Sequence, residues 1–166
     1  MNDLYAEAGV RRKETVATFA LRFLLIFLVI LSFLLASLNT VMLIIGTLII
    51  VLTIYLFPRL SVEYEYVFCD GQLDFDKIMG NAKRKTALRI DFEQVEIMAP
   101  LSSKELERYS QGNVQLKDFS SGRKEAKPYV IMYRDGDKRL KIIFEPNEKM
   151  ISCIKMKSPR KLIESN

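Results

Sequence analysis

The pattern of hydrophobic and polar positions divides the chain near residue 58. From Phe23 to Phe57 no residue carries a formal charge, and Leu, Ile, Phe and Val dominate. One helix across this run is longer than a bilayer needs, because a hydrocarbon core about 30 Å thick is crossed by about 20 residues. The run therefore predicts two antiparallel helices, over residues 17–36 and 40–57. The reversal falls at Ser37-Leu38-Asn39-Thr40, the cluster of turn-forming polar side chains inside the run. Pro58 ends the second helix, since it lacks an amide proton and its ring clashes with the preceding turn. A cleaved secretory signal has an apolar core of only about 7–15 residues and an A-x-A-like site. Ala36-Ser37-Leu38 lacks that site and a second apolar run follows, so both runs read as spans.

Beyond Pro58 the period shortens to two. Asp70-Gly71 suits a two-residue type I′ turn between alternating segments. The register then sets Cys69 against Gln72, Phe68 against Leu73, Tyr66 against Phe75 and Tyr64 against Lys77, with the large apolar groups on one face. On the other face Glu65 opposes Asp76, and opposed like charges destabilise a strand pair unless cations lie alongside. Lys83, Arg84 and Lys85 are expected to fill the next connection. A third strand follows in which Leu88, Ile90 and Phe92 face inward and Arg89 or a neighbour lies beside those carboxylates. Val95 and Ile97 form a fourth strand ended by Pro100. Ser102-x-x-Glu105 reads as a capping box, with Leu101 and Leu106 as its hydrophobic staple, opening a short helix over residues 103–110. Val114 and Leu116 alternate as a brief strand does, and residues 120–127 read as a mobile loop. Tyr129 to Arg134 and Arg139 to Phe144 form a second hairpin, its turn at either Asp135-Gly136 or Gly136-Asp137. Pro146 suits the first turn of a closing helix on which Met150, Ile151 and Ile154 recur, and Pro159 ends it.

Charge adds an orientation. The net charge is +5, and Arg11, Arg12, Lys13 and Arg22 precede the first span while Arg59 follows the second. The connecting turn has no charge, so the positive-inside rule puts both termini in the cytoplasm of a multi-pass protein of the cell membrane. Arg22, in the first turns of its helix, reads as a snorkelling anchor. Cys69 and Cys153 then lie where thiols stay reduced. The expected organisation is a cytoplasmic N-terminal segment (1–16), a membrane α-helical hairpin (17–57), a mainly β (α+β) cytoplasmic domain (61–157) and a basic tail (158–166).

About seven strands closed by one C-terminal helix is an order that resembles the pleckstrin-homology-like (PH-like) fold. Local sequence carries a second resemblance. Val62-Glu63-Tyr64-Glu65-Tyr66, Asp70-Gly71-x-Leu73-Asp74-x-Asp76-Lys77-Ile78, Lys83-Arg84-Lys85, Ala99-Pro100 and Phe144-Glu145-Pro146-Asn147-Glu148-Lys149 are similar to a family of bacterial two-span membrane proteins known as a domain of unknown function. That resemblance implies the architecture and no activity.

Candidate chemistry is sparse. The absence of histidine removes the commonest general base and metal ligand. Asp70, Asp74, Asp76 and Asp91 offer oxygen ligands, yet Asp74 and Asp76 sit at alternate outward positions and line a surface, so neither a metal site nor a cofactor is expected. No phosphate-binding loop, dinucleotide fingerprint or nucleophile elbow occurs. Lys83, Arg84 and Lys85 are the candidate contact for anionic headgroups or a partner; several pleckstrin-homology domains place lipid-binding groups after the first hairpin. The cations lack the aromatic platform that nucleic-acid binding uses. Ser32 and Gly46 lie at similar depth on the two spans and permit close helix contact. The expected function is a non-enzymatic anchored module for a protein partner or lipid headgroups. The alternative is an accessory subunit of a larger transport or export complex.

Overall fold

A computed structural model describes residues 4–37, 39–80 and 83–163, with the side chain of Lys83 outside that description. The first regular element is a strand, β1 (Tyr5–Arg11), followed by the helical pair α1 (Val16–Ala36) and α2 (Thr40–Leu56) and a 3-10 turn, Phe57–Leu60. The helix bounds agree with the hydropathy reading to within a residue. Leu38, in the predicted reversal, lies outside the described residues. Asn39 caps α2 by accepting from the Val41 amide at 3.2 Å. Helix α1, and α2 continued by the 3-10 turn to Leu60, are long and apolar enough to span a membrane, and few of their residues are buried within the protein. They pack closely at Ser32 and Gly46, both buried, where a Cβ on Gly46 lies 3.3 Å from that of Ser32.

Seven strands follow: β2 (Val62–Cys69), β3 (Gln72–Met79), β4 (Lys83–Asp91), β5 (Val95–Pro100), β6 (Val114–Asp118), β7 (Tyr129–Asp135) and β8 (Lys138–Phe144), with a short helix α3 (Leu106–Tyr109) between β5 and β6. Helix α4 (Glu148–Lys157) closes the domain. The strands form two four-stranded sheets, ordered β1-β2-β3-β4 and β5-β7-β8-β6. The mainly β, two-sheet fold with a closing helix is the one expected, but β1 raises the strand number to eight among the described residues. It pairs antiparallel with β2 from Tyr5↔Cys69 to Arg11↔Glu63. The helical hairpin is therefore an insertion between two neighbouring strands, and the separate N-terminal segment (1–16) of the sequence reading belongs to the sheet over Tyr5–Arg11.

The first hairpin has the predicted register, and Asp70 and Gly71 both adopt positive φ (44° and 101°), as a type I′ turn requires. Inward side chains from both sheets and α4 form one core of Tyr66, Phe68, Leu73, Phe75, Phe144 and Met150 with their neighbours. Phe75 is its centre, stacked on Phe119 at 4.8 Å and edge-on to Tyr66 and Phe144 at 5.6 Å each. Burial pushes the Tyr66 hydroxyl far above the usual tyrosine range, so it stays protonated and donates to the Phe119 carbonyl. A smaller cluster, Ile97, Ala99, Leu106, Val130 and Met132, lies behind the second sheet.

Several local expectations are corrected. Lys83–Lys85 belong to β4 rather than to a connection. The Ser102 capping box does not form: Glu105 takes the cap position without a side-chain bond, and successive i→i+3 bonds such as Ser103 N to Pro100 O carry the chain into the four-residue α3. Leu101 is exposed, so the staple is absent. The second turn resolves to Gly136-Asp137, because Asp135 pairs with Lys138. Pro146 lies outside α4, where Asn147 Oδ1 accepts from the Met150 amide at 2.8 Å. The 120–127 loop is tied down at its start, since Ser120 and Ser121 are buried and the Ser121 amide donates to Glu145. The basic tail is likewise docked over 161–163, where Met98 N donates to Lys161 O and Ile163 N to Met98 O at 2.7 and 2.8 Å. Its last residues, 164–166, lie outside the described residues.

Candidate functional site

The charged groups singled out in the sequence meet at the end of the β domain beside the helical hairpin. They converge there because β1 runs into α1 and α2 runs back into β2. At the crossing, Arg12 N donates to Val62 O at 3.0 Å and Lys13 N to Ser121 O at 2.7 Å. Arg11 Nε lies 3.7 Å from Glu63, and Arg12 Nη1 donates to Tyr64 Oη at 2.9 Å. Arg22 turns back from α1 to bind Glu14 and, at 2.8 Å, the Ser61 hydroxyl, while its guanidinium sits 5.3 Å from the Phe57 ring. It is a clamp on both ends of the hairpin. Arg59 lies 3.7 Å over the Tyr55 ring.

The β3–β4 turn is pressed onto this base. Gly80 has φ +61°, and a Cβ there comes within 2.6 Å of Pro58, so only glycine permits the approach. Ser61 and Gly80, hub and contact point, had no sequence signal beyond a Ser and a Gly in polar surroundings. Glu14 had none either.

A register shift decides which arginine meets which carboxylate. Phe75 pairs with Leu88 but Asp76 pairs with Thr86, leaving Ala87 as the extra residue of a β-bulge. The bulge reverses inward–outward parity along β4, so Leu88 and Ile90 face the core while Thr86 and Arg84 face outward with Asp76. Consequently Arg84, rather than Arg89, bridges the opposed carboxylates, with Nε 2.6 Å from Asp76 and Nη2 3.2 Å from Glu65. Arg89 instead makes a two-pronged pair with Asp74 at 2.6 and 2.7 Å. Burial pushes the Asp76 carboxyl up, but hydrogen bonds from Thr86 and Arg84 and the charges of Arg84 and Arg89 outweigh it and hold the group below the usual carboxylate range.

This pairing has a measurable sign. A carboxyl with a lowered folded-state pKa adds stability that is complete above its unfolded value, about 4, and fades as pH falls through the folded one. Urea midpoints of the wild type and Asp76→Asn are therefore expected to differ at pH 6 and to converge as the pH falls through the lowered folded-state value of Asp76. A difference unchanged down to the acid limit contradicts the pairing.

Of the three candidate contact cations, Arg84 is thus committed to carboxylates, and the side chain of Lys83 lies outside the described residues. Lys85 is exposed, and the same parity reversal turns it to the inner face opposite Lys77. The described side chains of this end are chiefly guanidinium and ammonium donors, whose chemistry is the binding of anions. Among the described residues, no three His, Cys, Asp or Glu side chains cluster to hold a metal.

Two orthodox β layers closed by a C-terminal helix, with an apolar helical pair set into the first connection, define a PH-like module built around a helical hairpin. Residues 2–164 match the family model described as Bacterial PH-like domain (DUF6106), and the chain belongs to that family. No curated protein and no solved structure matches it.

Proposed function

We propose that the chain is a non-enzymatic binding module, anchored in the cell membrane by its two helices, that presents the PH-like domain at the cytoplasmic face to a protein partner or to lipid headgroups. The observation that carries this reading is the β1–β2 ladder. Strands on either side of the hairpin pair residue for residue, so both ends of the hairpin leave any bilayer on one side. Cations gather at that base and the far turn is uncharged, which supports the cytoplasmic side. The domain sits on the hairpin through backbone and side-chain bonds, and this suits a display platform better than a tethered catalyst. Of the aspartates singled out in the sequence, Asp74 and Asp76 are both held by arginines.

The placement is tested with the two thiols, since Cys69 is exposed and Cys153 buried. A maleimide that cannot cross membranes is expected to label Cys69 in inverted membrane vesicles and to leave it unlabelled in intact cells. Labelling in intact cells overturns the cytoplasmic assignment. Crosslinking in native membranes then separates the two functional readings: a binding module keeps its protein partner when the hairpin is exchanged for an unrelated one, and an accessory subunit that docks through its spans loses it.

A further inference from the structure

We infer that the mouth of the β domain beside the hairpin is a binding site for the phosphate of an anionic lipid headgroup, with Lys77 and Lys85 at its centre; this rests on the membrane-anchored reading above. Lys77 and Lys85 face each other across β3 and β4, in the same row as Tyr64 of β2. Opposed like charges weaken a strand pair, and no carboxylate among the described residues pairs with either lysine. Of the carboxylates nearby, Glu14 is matched by Arg22, Glu63 by Arg11, and Glu65 and Asp76 by Arg84, while Glu145 and Asp118 are held by the Ser121 and Ser120 amides and form no ion pair with either lysine. The lysine charge is therefore a surplus that an anion relieves.

Two further segments bring cations to the same mouth. Arg12 reaches the Tyr64 hydroxyl at 2.9 Å, beside the lysine row. The 2.7 Å bond from Lys13 N to Ser121 O holds the start of the 121–127 loop, which carries the exposed Arg123, Lys124 and Glu125, against the same end. The contact of Gly80 with Pro58 fixes the β3–β4 end against the point where α2 ends. A phosphate in the headgroup layer lies at that depth, whereas a free anion has no reason to prefer it. Each cation near such a surface strengthens attraction about fivefold.

The test uses the full chain in neutral detergent, titrated with phosphatidylglycerol, phosphatidylcholine or inorganic phosphate at equal ionic strength, with thermal unfolding and native mass spectrometry as readouts. Phosphatidylglycerol is expected to raise the melting temperature and to be retained, while the other two do neither. The double variant Lys77→Gln, Lys85→Gln is expected to melt higher than wild type without lipid, because the opposed charges are gone, and to bind phosphatidylglycerol more than tenfold more weakly. A merely structural pair of lysines does not give that combination. Equal phosphatidylglycerol shifts in wild type and variant overturn the site, and so does an equal response to phosphatidylcholine. A matching shift with inorganic phosphate overturns the headgroup assignment. Alkaline carbonate washing of membranes is the separate control: a chain that washes off refutes the anchored reading, whereas one that stays yet ignores phosphatidylglycerol refutes this site alone.

Discussion

A chain cut back to residues 61–163 is expected to lose cooperative unfolding, while a chain in which Asn-Gly replaces residues 13–61 is expected to fold in water without detergent. The first removes β1. With it go a seven-residue strand, the fully buried Ala6, and the bonds that tie α4 to the sheet, Asn147 Nδ2 to Glu7 O at 2.7 Å and Cys153 Sγ to Tyr5 O at 3.9 Å. At about 1 kcal/mol net per ladder hydrogen bond the loss amounts to several kcal/mol. Domain stabilities are only about 5–15 kcal/mol, so the truncated domain has little left, and β2 becomes an open edge prone to association. The second chain keeps β1. Arg12 N already bonds Val62 O, which sets those two residues as the flanks of a two-residue turn, and Asn-Gly supplies the positive φ values that a type I′ turn demands. Circular dichroism during urea titration distinguishes the outcomes. Equal midpoints for the two chains mean that β1 is no part of the folding unit.

Phe75→Ala is expected to cost about 3–5 kcal/mol, the largest effect of any single truncation in the core. Its ring meets three others at 4.8 to 5.6 Å, from β2, β8 and the segment after β6. Those rings belong to both sheets and to the loop that reaches Lys13, so none can close the void without moving a sheet. Tyr66→Phe is the useful contrast. It keeps the ring packing and removes one donor to the Phe119 carbonyl, at about 1 kcal/mol. Chemical unfolding of both variants in the turn-linked domain measures the difference. If Phe75→Ala costs no more than Tyr66→Phe, the aromatic cluster is not the keystone described.

Much of this architecture was legible along the chain. The uncharged run from Phe23 to Phe57 dictates two helices through length and hydropathy alone. Asp70-Gly71 dictates the register of β2 and β3, because a two-residue turn and a period of two leave a single pairing that buries Tyr66, Phe68, Leu73 and Phe75 together. The basic residues flanking the spans were legible as well, and by the positive-inside rule they predict that both termini lie on one side of a membrane. Short elements were less legible. At α3 a capping-box pattern yielded to the turn bonds imposed by Pro100, and at α4 a favourable first-turn proline yielded to Asn147, whose side chain satisfies an amide that Pro146 has no means to reach.

Local pattern determined which segments are apolar helices, which alternate as strands, and where the sharpest turn lies, since hydropathy, period and turn chemistry are properties of neighbouring residues. Tertiary structure alone decided that Tyr5–Arg11 joins the sheet across an inserted hairpin, that Arg84 rather than Arg89 serves Glu65 and Asp76, and that Lys77 and Lys85 confront each other with no carboxylate partner among the described residues. Each depends on a pairing between residues distant in the chain, or on a one-residue bulge that reverses strand parity. Neither leaves a mark on hydrophobic periodicity, because backbone hydrogen bonds select partners without regard to the side chains that a pattern records.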